Sequence, residues 1–389
     1  MTKGTAHARR QSPALGAVVA AALTLLVNAG TARAGTPADP PRRVVSLSGT
    51  WEIEAGSPDR QPAEFNRTIP VPGVVDMAAP AFEDVGQNTV FADEGGHKFS
   101  MIPDRHYRAF WYRRTFSIEG DVPAVAVLKL AKAKFGTRAW LNGNELGRHW
   151  PCFTPGYFDV REHLKGNGQQ NELIVCVGAD PLAVGDRAAN GHDFEKRSYL
   201  AGIYDDVTLT LAGSPYVVNV QVVPEIQEGA ARVVAELRNR GEAAATTDVT
   251  FEIRPYGSSD VAGRATLEDV HIEPGQTSAV EARVAIRDCK LWTPEKPNLY
   301  HLVTRTGADA LVTRFGMRRF HFDPQTGVGV LNGKPYYLRG SNICYFRFEE
   351  DPLRGAKPWD EQWVRTLHRR FKSLDMNALR YCIGFPPDK

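Results

Sequence analysis

Residues 360–383 read DEQWVRTLHRRFKSLDMNALRYCI. Trp363, Leu367, Phe371 and Leu374 recur at spacings of four, four and three, which places them on one face of a 3.6-residue helix. Asp360 stands just before this pattern, where a short carboxylate accepts the first free helical N–H groups. The run from Ala378 to Ile383 then reads as a strand, and "GFPPDK" after it as a turn. Upstream, "GVLNGKPYYLRGSN" (329–342) carries an Asn332-Gly333 hairpin signal leading into a strand expected over 335–339. A polar loop, "FRFEEDPLRGAKP" (346–358), separates that strand from the helix. Strand, helix, strand is the opening of a parallel α/β domain. The expectation is a longer domain of which only the beginning is present.

From Val44 up to this stretch the chain has a period of two. "FWYRRTFSI" (110–118), "AVLKLAKAKFGTRAWLNGNELGRH" (126–149), "NELIVCVGAD" (171–180) and "YDDVTLTLAG" (204–213) are short strand runs, with Asn142-Gly143 as a tight turn. Their spacing predicts a sandwich or jelly roll over 44–213. From Pro215 a second series begins: "YVVNVQVVPEI", "ARVVAELRN", "TDVTFEIRPYG", "SAVEARVAI" and "LYHLVTR". It covers about 100 residues, the size of one immunoglobulin-like sandwich.

The 389-residue chain has a net charge of +2, too small for a nucleic-acid footprint. The basic cluster Arg365, Arg369, Arg370 and Lys372 reads as a solvated helix face. Lys3, Arg9 and Arg10 precede an apolar run from Ala14 to Val27, followed by Ala32-Arg33-Ala34. This is the layout of a cleaved secretory signal, so a periplasmic or secreted protein is expected, with no membrane span in the mature chain. The five cysteines are widely spread and contain no C-x-x-C pair, which argues against zinc and against a disulfide framework. Cys152 with Cys176 is the pair to check.

Ordered motifs carry a further reading. In the first series these are "LSGTWEI", "VPGVVDM", "YRAFWYRRTFSI", "RAWLNGNELGRH", "GYFDV" and "GIYDDVTL". "LWTPEKPNLYHLVT" and "RFGMRRF" follow in the second, then "LNGKPYYLRGSN" and "LDMNALRY". Their order and spacing resemble glycoside hydrolase family 2, which includes β-galactosidases, β-glucuronidases and β-mannosidases. The resemblance implies a mainly β multidomain chain. The expected layout is a signal peptide over 1–34, a linker over 35–43, a jelly-roll sugar-binding domain over 44–213 and an immunoglobulin-like sandwich over 214–321. Residues 322–389 supply the first two strands and first helix of a (β/α)8 barrel.

The implied activity is hydrolysis of terminal β-glycosidic bonds in a carbohydrate by a retaining mechanism. Two carboxyl groups about 5 Å apart then act as nucleophile and acid/base. In this family both are glutamates from later barrel strands, so this chain alone is expected to lack them and to be inactive. No cofactor and no metal are called for. Asn144-Glu145 and Asn171-Glu172 match the family's Asn-Glu dipeptide but read as solvated turn residues.

Barrel active sites form at the C-terminal ends of the strands. The resemblance therefore makes Arg380, which would orient a catalytic carboxylate, and Asn342 the substrate-site candidates. Family galactosidases carry histidines at the positions of Cys344 and Ile383, so the pocket is expected to favour another sugar. Asp193, Glu195 and Lys196, in "GHDFEKRSY" (191–199), are weaker candidates for a loop reaching the barrel mouth. Glu349, Glu350 and Asp351 read as a solvated acidic loop. Trp111, Trp140 and Trp150 offer aromatic faces to a sugar, against core packing as the commoner fate. The alternatives are a non-catalytic carbohydrate-binding or scaffold protein, or one half of a split glycosidase; the partner expected besides carbohydrate is a complementing barrel fragment or a second copy in a homo-oligomer.

Overall fold

A computed structural model describes residues 42–83, 85, 108–191, 199–349, 351, 353–382 and 384–388. The signal-like segment, Asp193, Glu195, Lys196, Glu350 and Ile383 lie outside the described residues. All described residues belong to one compact unit. Among them, no helix is long and apolar enough to cross a membrane.

The first strands form two facing antiparallel sheets. One has the order Arg43–Ser46, Val207–Ala212, Val125–Leu130, Gly156–Asp159. The other runs Arg67–Val71, Gly49–Gly56, Ala109–Phe116, Asn171–Gly178, Thr137–Leu141, Asn144–His149. Alternation decides what meets between them. Leu128 and Leu130 on one sheet, and Trp51, Ile53, Tyr112, Leu173 and Val175 on the other, close a single core. Strand Asn171–Gly178 is buried on both faces, because Ile174 and Cys176 pack outward against Trp111 and Trp140 in a second apolar cluster. Asn142 and Gly143 have φ of 51° and 82°, the positive angles that a two-residue hairpin matching sheet twist requires.

Strands resume at Tyr216. Tyr216–Glu225, Ala230–Arg238 and Thr277–Ala285 form one sheet, and Gly263–Ile272, Ala245–Pro255, Tyr300–Arg305 and Ala310–Phe315 the other. Val233, Leu237, Phe251, Ile253 and Leu302 fill the space between. Asp309, fully buried, ties the two sandwiches together. It accepts from Arg42 Nε at 3.0 Å and from the Val217 backbone N–H at 2.8 Å.

Beyond Phe320 the strands are short. Phe320–Phe322, Gly329–Leu331 and Lys334–Pro335 make a small antiparallel sheet, closed by Asn332-Gly333. Gly340–Cys344 then pairs in parallel with Ala378–Cys382, and the helix Glu361–Ser373 lies between them in sequence. Asp360 caps that helix as expected, its Oδ1 accepting from Gln362 and Trp363 N–H at 2.9 and 3.2 Å. The strand expected over 335–339 is displaced to Gly340–Cys344, for two reasons. Asn377 takes up the local backbone groups, accepting from Arg339 N–H at 2.8 Å and donating to Tyr337 O at 2.9 Å. Close pairing can also begin only at Gly340, where a Cβ would sit 1.9 Å from Ala378 O.

Two strands offer little sheet for the helix to cover. Trp363, Leu367 and Phe371 are only half-buried, and Leu374 is 68% exposed. The segment is nonetheless anchored on the first sandwich. Tyr345 enters the first core, and Trp359 and Tyr381 pack against it.

Candidate substrate-site rim on the parallel strand pair

The parallel register sets Asn342 directly opposite Arg380, and Cys344 opposite Cys382. Residues two apart share a strand face, so all four side chains lie on one face of the pair. Arg380 Nη1 donates to Asn342 Oδ1 at 3.3 Å, and both side chains are exposed. Among the described residues no carboxylate pairs with Arg380. Its guanidinium presents most of its five donors outward, the arrangement that suits a carboxylate. The two principal sequence candidates are therefore brought together, at facing mid-strand positions of two parallel strands.

The thiols of Cys344 and Cys382 lie 3.1 Å apart. The pair expected from the sequence, Cys152 with Cys176, is not brought together. Those two are in separate places, Cys152 in the core between the sheets and Cys176 in the outer-face cluster. Burial pushes their thiols up to about 11 and about 12. The equal offset of Cys344 from Asn342 and of Cys382 from Arg380 becomes a pairing only through the parallel register.

The loop after Gly340–Cys344 corrects another expectation. Glu349 is not solvated. It and Lys134, from the first sandwich, form an ion pair in which both side chains are 0% exposed. Burial, and then the Glu349 carboxylate beside it, push the Tyr345 hydroxyl far above the usual phenol range. Further along, Arg354 pairs with Asp76, and Trp359 Nε1 donates to Tyr204 O at 2.9 Å. Asp351 is exposed and closes a turn, accepting from Leu353 N–H at 2.8 Å. The first sandwich thus supplies the floor on which the rim loop sits.

Of the three tryptophans, Trp111 is buried and stacks on Trp140 with centroids 5.2 Å apart. Arg138 lies over the Trp140 ring at 4.6 Å, and Arg187 over Trp150 at 4.1 Å. All three rings are engaged by protein groups.

Residues 216–318, the second sandwich, match the family model described as Glycosyl hydrolases family 2. Over 282 residues the chain is 26% identical to a protein of Formosa agariphila named "Putative beta-glucuronidase", covering 69% of this chain and 24% of that one. The second sandwich thus matches glycoside hydrolase family 2, and the chain as a whole is similar to proteins of that family. Its fold is similar to that of a family 2 member from Bacteroides cellulosilyticus (TM-score 0.66, 17% identity, covering 89% of this chain and 43% of that one). It is also similar to a β-D-mannosidase from Dictyoglomus thermophilum (TM-score 0.63, 20% identity, covering 87% and 44%). The chain spans about a quarter of the length of the curated relative it matches.

The two Asn-Glu dipeptides are structural. Glu145 is exposed and pairs with Arg138, whose hydrogen bond holds its carboxyl below the usual range. A general acid needs the opposite shift. Asn171 is not a solvated turn residue, as the sequence suggested, but is fully buried. Its amide accepts from Asn142 Nδ2 at 2.9 Å and Lys165 N–H at 2.8 Å, and donates to Lys165 O at 2.9 Å. Such a saturated buried amide fixes a loop and has no capacity left for substrate.

Proposed function

We propose that the whole protein is an exported, retaining β-glycosidase. On this reading residues 44–213 are its jelly-roll domain, 214–321 its immunoglobulin-like domain, and 322–389 the first two strands and first helix of its catalytic barrel. The observation that carries the proposal is the parallel strand pair, in a chain similar to family 2, that sets Arg380 beside Asn342 at one rim. There Arg380 would orient a catalytic carboxylate, and Asn342 would hydrogen-bond the sugar. The acid/base and the nucleophile are assigned to neither Glu145 nor Glu172, so residues 35–389 alone bind weakly at most and do not turn over. The described residues supply the scaffold and one edge of the pocket.

For the sugar, the reading favours a β-glucuronide over a β-galactoside. The curated relative is named as a glucuronidase, and Cys344 and Ile383 replace the two histidines of the galactosidase pattern. A thiol and an isoleucine remove strong donors to sugar hydroxyls. Aryl β-glucuronides, β-galactosides and β-mannosides presented to the whole protein test this. Turnover of the glucuronide first supports the reading, and turnover of the galactoside first contradicts its sugar assignment.

Export rests on the charged start, the apolar run and Ala32-Arg33-Ala34. The mature protein is expected to begin at Gly35. N-terminal sequencing of secreted material checks this, and a mature chain retaining Met1 contradicts it.

A further inference from the structure

We propose that Cys344 and Cys382 are a disulfide-forming pair that staples the two parallel strands at the pocket rim. Four observations converge. The two residues are exact register partners. Neighbouring strands run about 4.8 Å apart, inside the Cα separation of roughly 4.4–6.8 Å that a disulfide spans. Their sulfurs are already 3.1 Å from each other. The other three cysteines are held elsewhere, Cys152 in the first core, Cys176 on the outer face of the six-stranded sheet and Cys289 against the second core.

The chemistry balances as thiol–disulfide exchange with a small-molecule or protein disulfide. One thiolate attacks the oxidant's S–S bond to give a mixed disulfide and release one thiol. The second thiolate displaces the other half, so one S–S bond forms in the protein and the oxidant leaves as two thiols. Accessibility selects the attacking thiol and proximity selects its partner. Cys344 is half-exposed at the rim, and Cys382, though buried, has its sulfur 3.1 Å away. Cys152 and Cys176 are buried with thiols pushed up, which disfavours their thiolates, and neither has such a neighbour. An exported protein meets such oxidants in its compartment.

The consequence for the site rests on the proposed glycosidase reading; the bridge itself does not. The pair lies two residues beyond Asn342 and Arg380 on the same face. A bridge there fixes the separation of those two side chains and gives this stretch of rim an apolar sulfur wall.

Peptide mapping tests the bridge without any activity assay. Trypsin releases residues 340–347 and 381–389 as separate peptides. After equilibration of the folded protein with oxidised glutathione, these two peptides are expected as one linked species, lighter by two hydrogens than their sum and separated by dithiothreitol. Cys152, Cys176 and Cys289 are expected as unmodified thiols. Cys382→Ser should remove the linked species and leave Cys344 open to alkylation, whereas Cys176→Ser should change nothing. Alkylation of both Cys344 and Cys382 in the oxidised wild-type protein, or linkage of either to another cysteine, overturns the proposal. Loss of glycosidase activity with the linked peptide still present would count against the functional reading and not against the bridge.

Discussion

Lys134→Met is expected to lower the stability of residues 35–389 by about 3–5 kcal/mol, the range for breaking a buried ion pair by removing one partner. Glu349 has 0% of its side chain exposed, and Lys134 is the partner of its Oε2. Its Oε1 makes no hydrogen bond, so the variant leaves a buried carboxylate with no counter-charge. Methionine nearly preserves the stem's volume, so the loss reports charge more than packing. It also removes the ammonium that lies 5.6 Å from the Tyr204 ring. The double variant Lys134→Met/Glu349→Leu should recover most of the loss, because a buried pair replaced by apolar groups is often neutral. Urea unfolding followed by tryptophan fluorescence measures both. A single variant within 1 kcal/mol of wild type, or a double variant no better than the single, would mean that the pair does not hold the rim loop to the first sandwich.

In the whole protein, Arg380→Ala is expected to reduce kcat/KM for an aryl β-glycoside by about 100-fold, the scale of a misplaced catalytic group. The fold should be untouched. Arg380 is exposed and makes one hydrogen bond, to Asn342 at 3.3 Å, and exposed positions of this kind shift stability by about 0.5 kcal/mol or less. Because the proposed role is orienting a carboxylate and not holding substrate, kcat should fall more than KM rises. Arg380→Lys keeps the charge but loses the planar fork, so it should recover only part of the rate. Parallel loss of melting temperature and activity would point instead to a structural arginine. A change under twofold in kcat/KM would remove Arg380 from the site.

Local chemistry was readable from the residues. The Asp360 cap, the Asn142-Gly143 and Asn332-Gly333 turns and the alternating strands are each decided by a few neighbouring positions, and the structure shows them where expected. Contacts distant in sequence were not readable. Glu349 looked like part of a wet acidic loop because its partner, Lys134, lies 215 residues earlier. The strand at 335–339 failed because Asn377, some forty positions on, captures the backbone that β-propensity alone would have paired. Asn171 looked like a turn residue because Asn142, its partner 29 positions earlier, becomes a neighbour only once the first sandwich closes. The candidate site lay between these cases. Arg380 and Asn342 could be named from motifs, but their adjacency, and that of Cys344 with Cys382, follows only from the parallel register.

The central claim is that these strands open the barrel of a retaining β-glycosidase, and product stereochemistry tests it most directly. Proton NMR during hydrolysis of an aryl β-glycoside by the whole protein should show the β-anomer of the free sugar first, with the α-anomer appearing later by mutarotation. That order follows from a nucleophile and an acid/base about 5 Å apart and two successive inversions. The α-anomer appearing first, or no turnover of aryl β-glucuronides, β-galactosides or β-mannosides by the folded whole protein, would contradict the account.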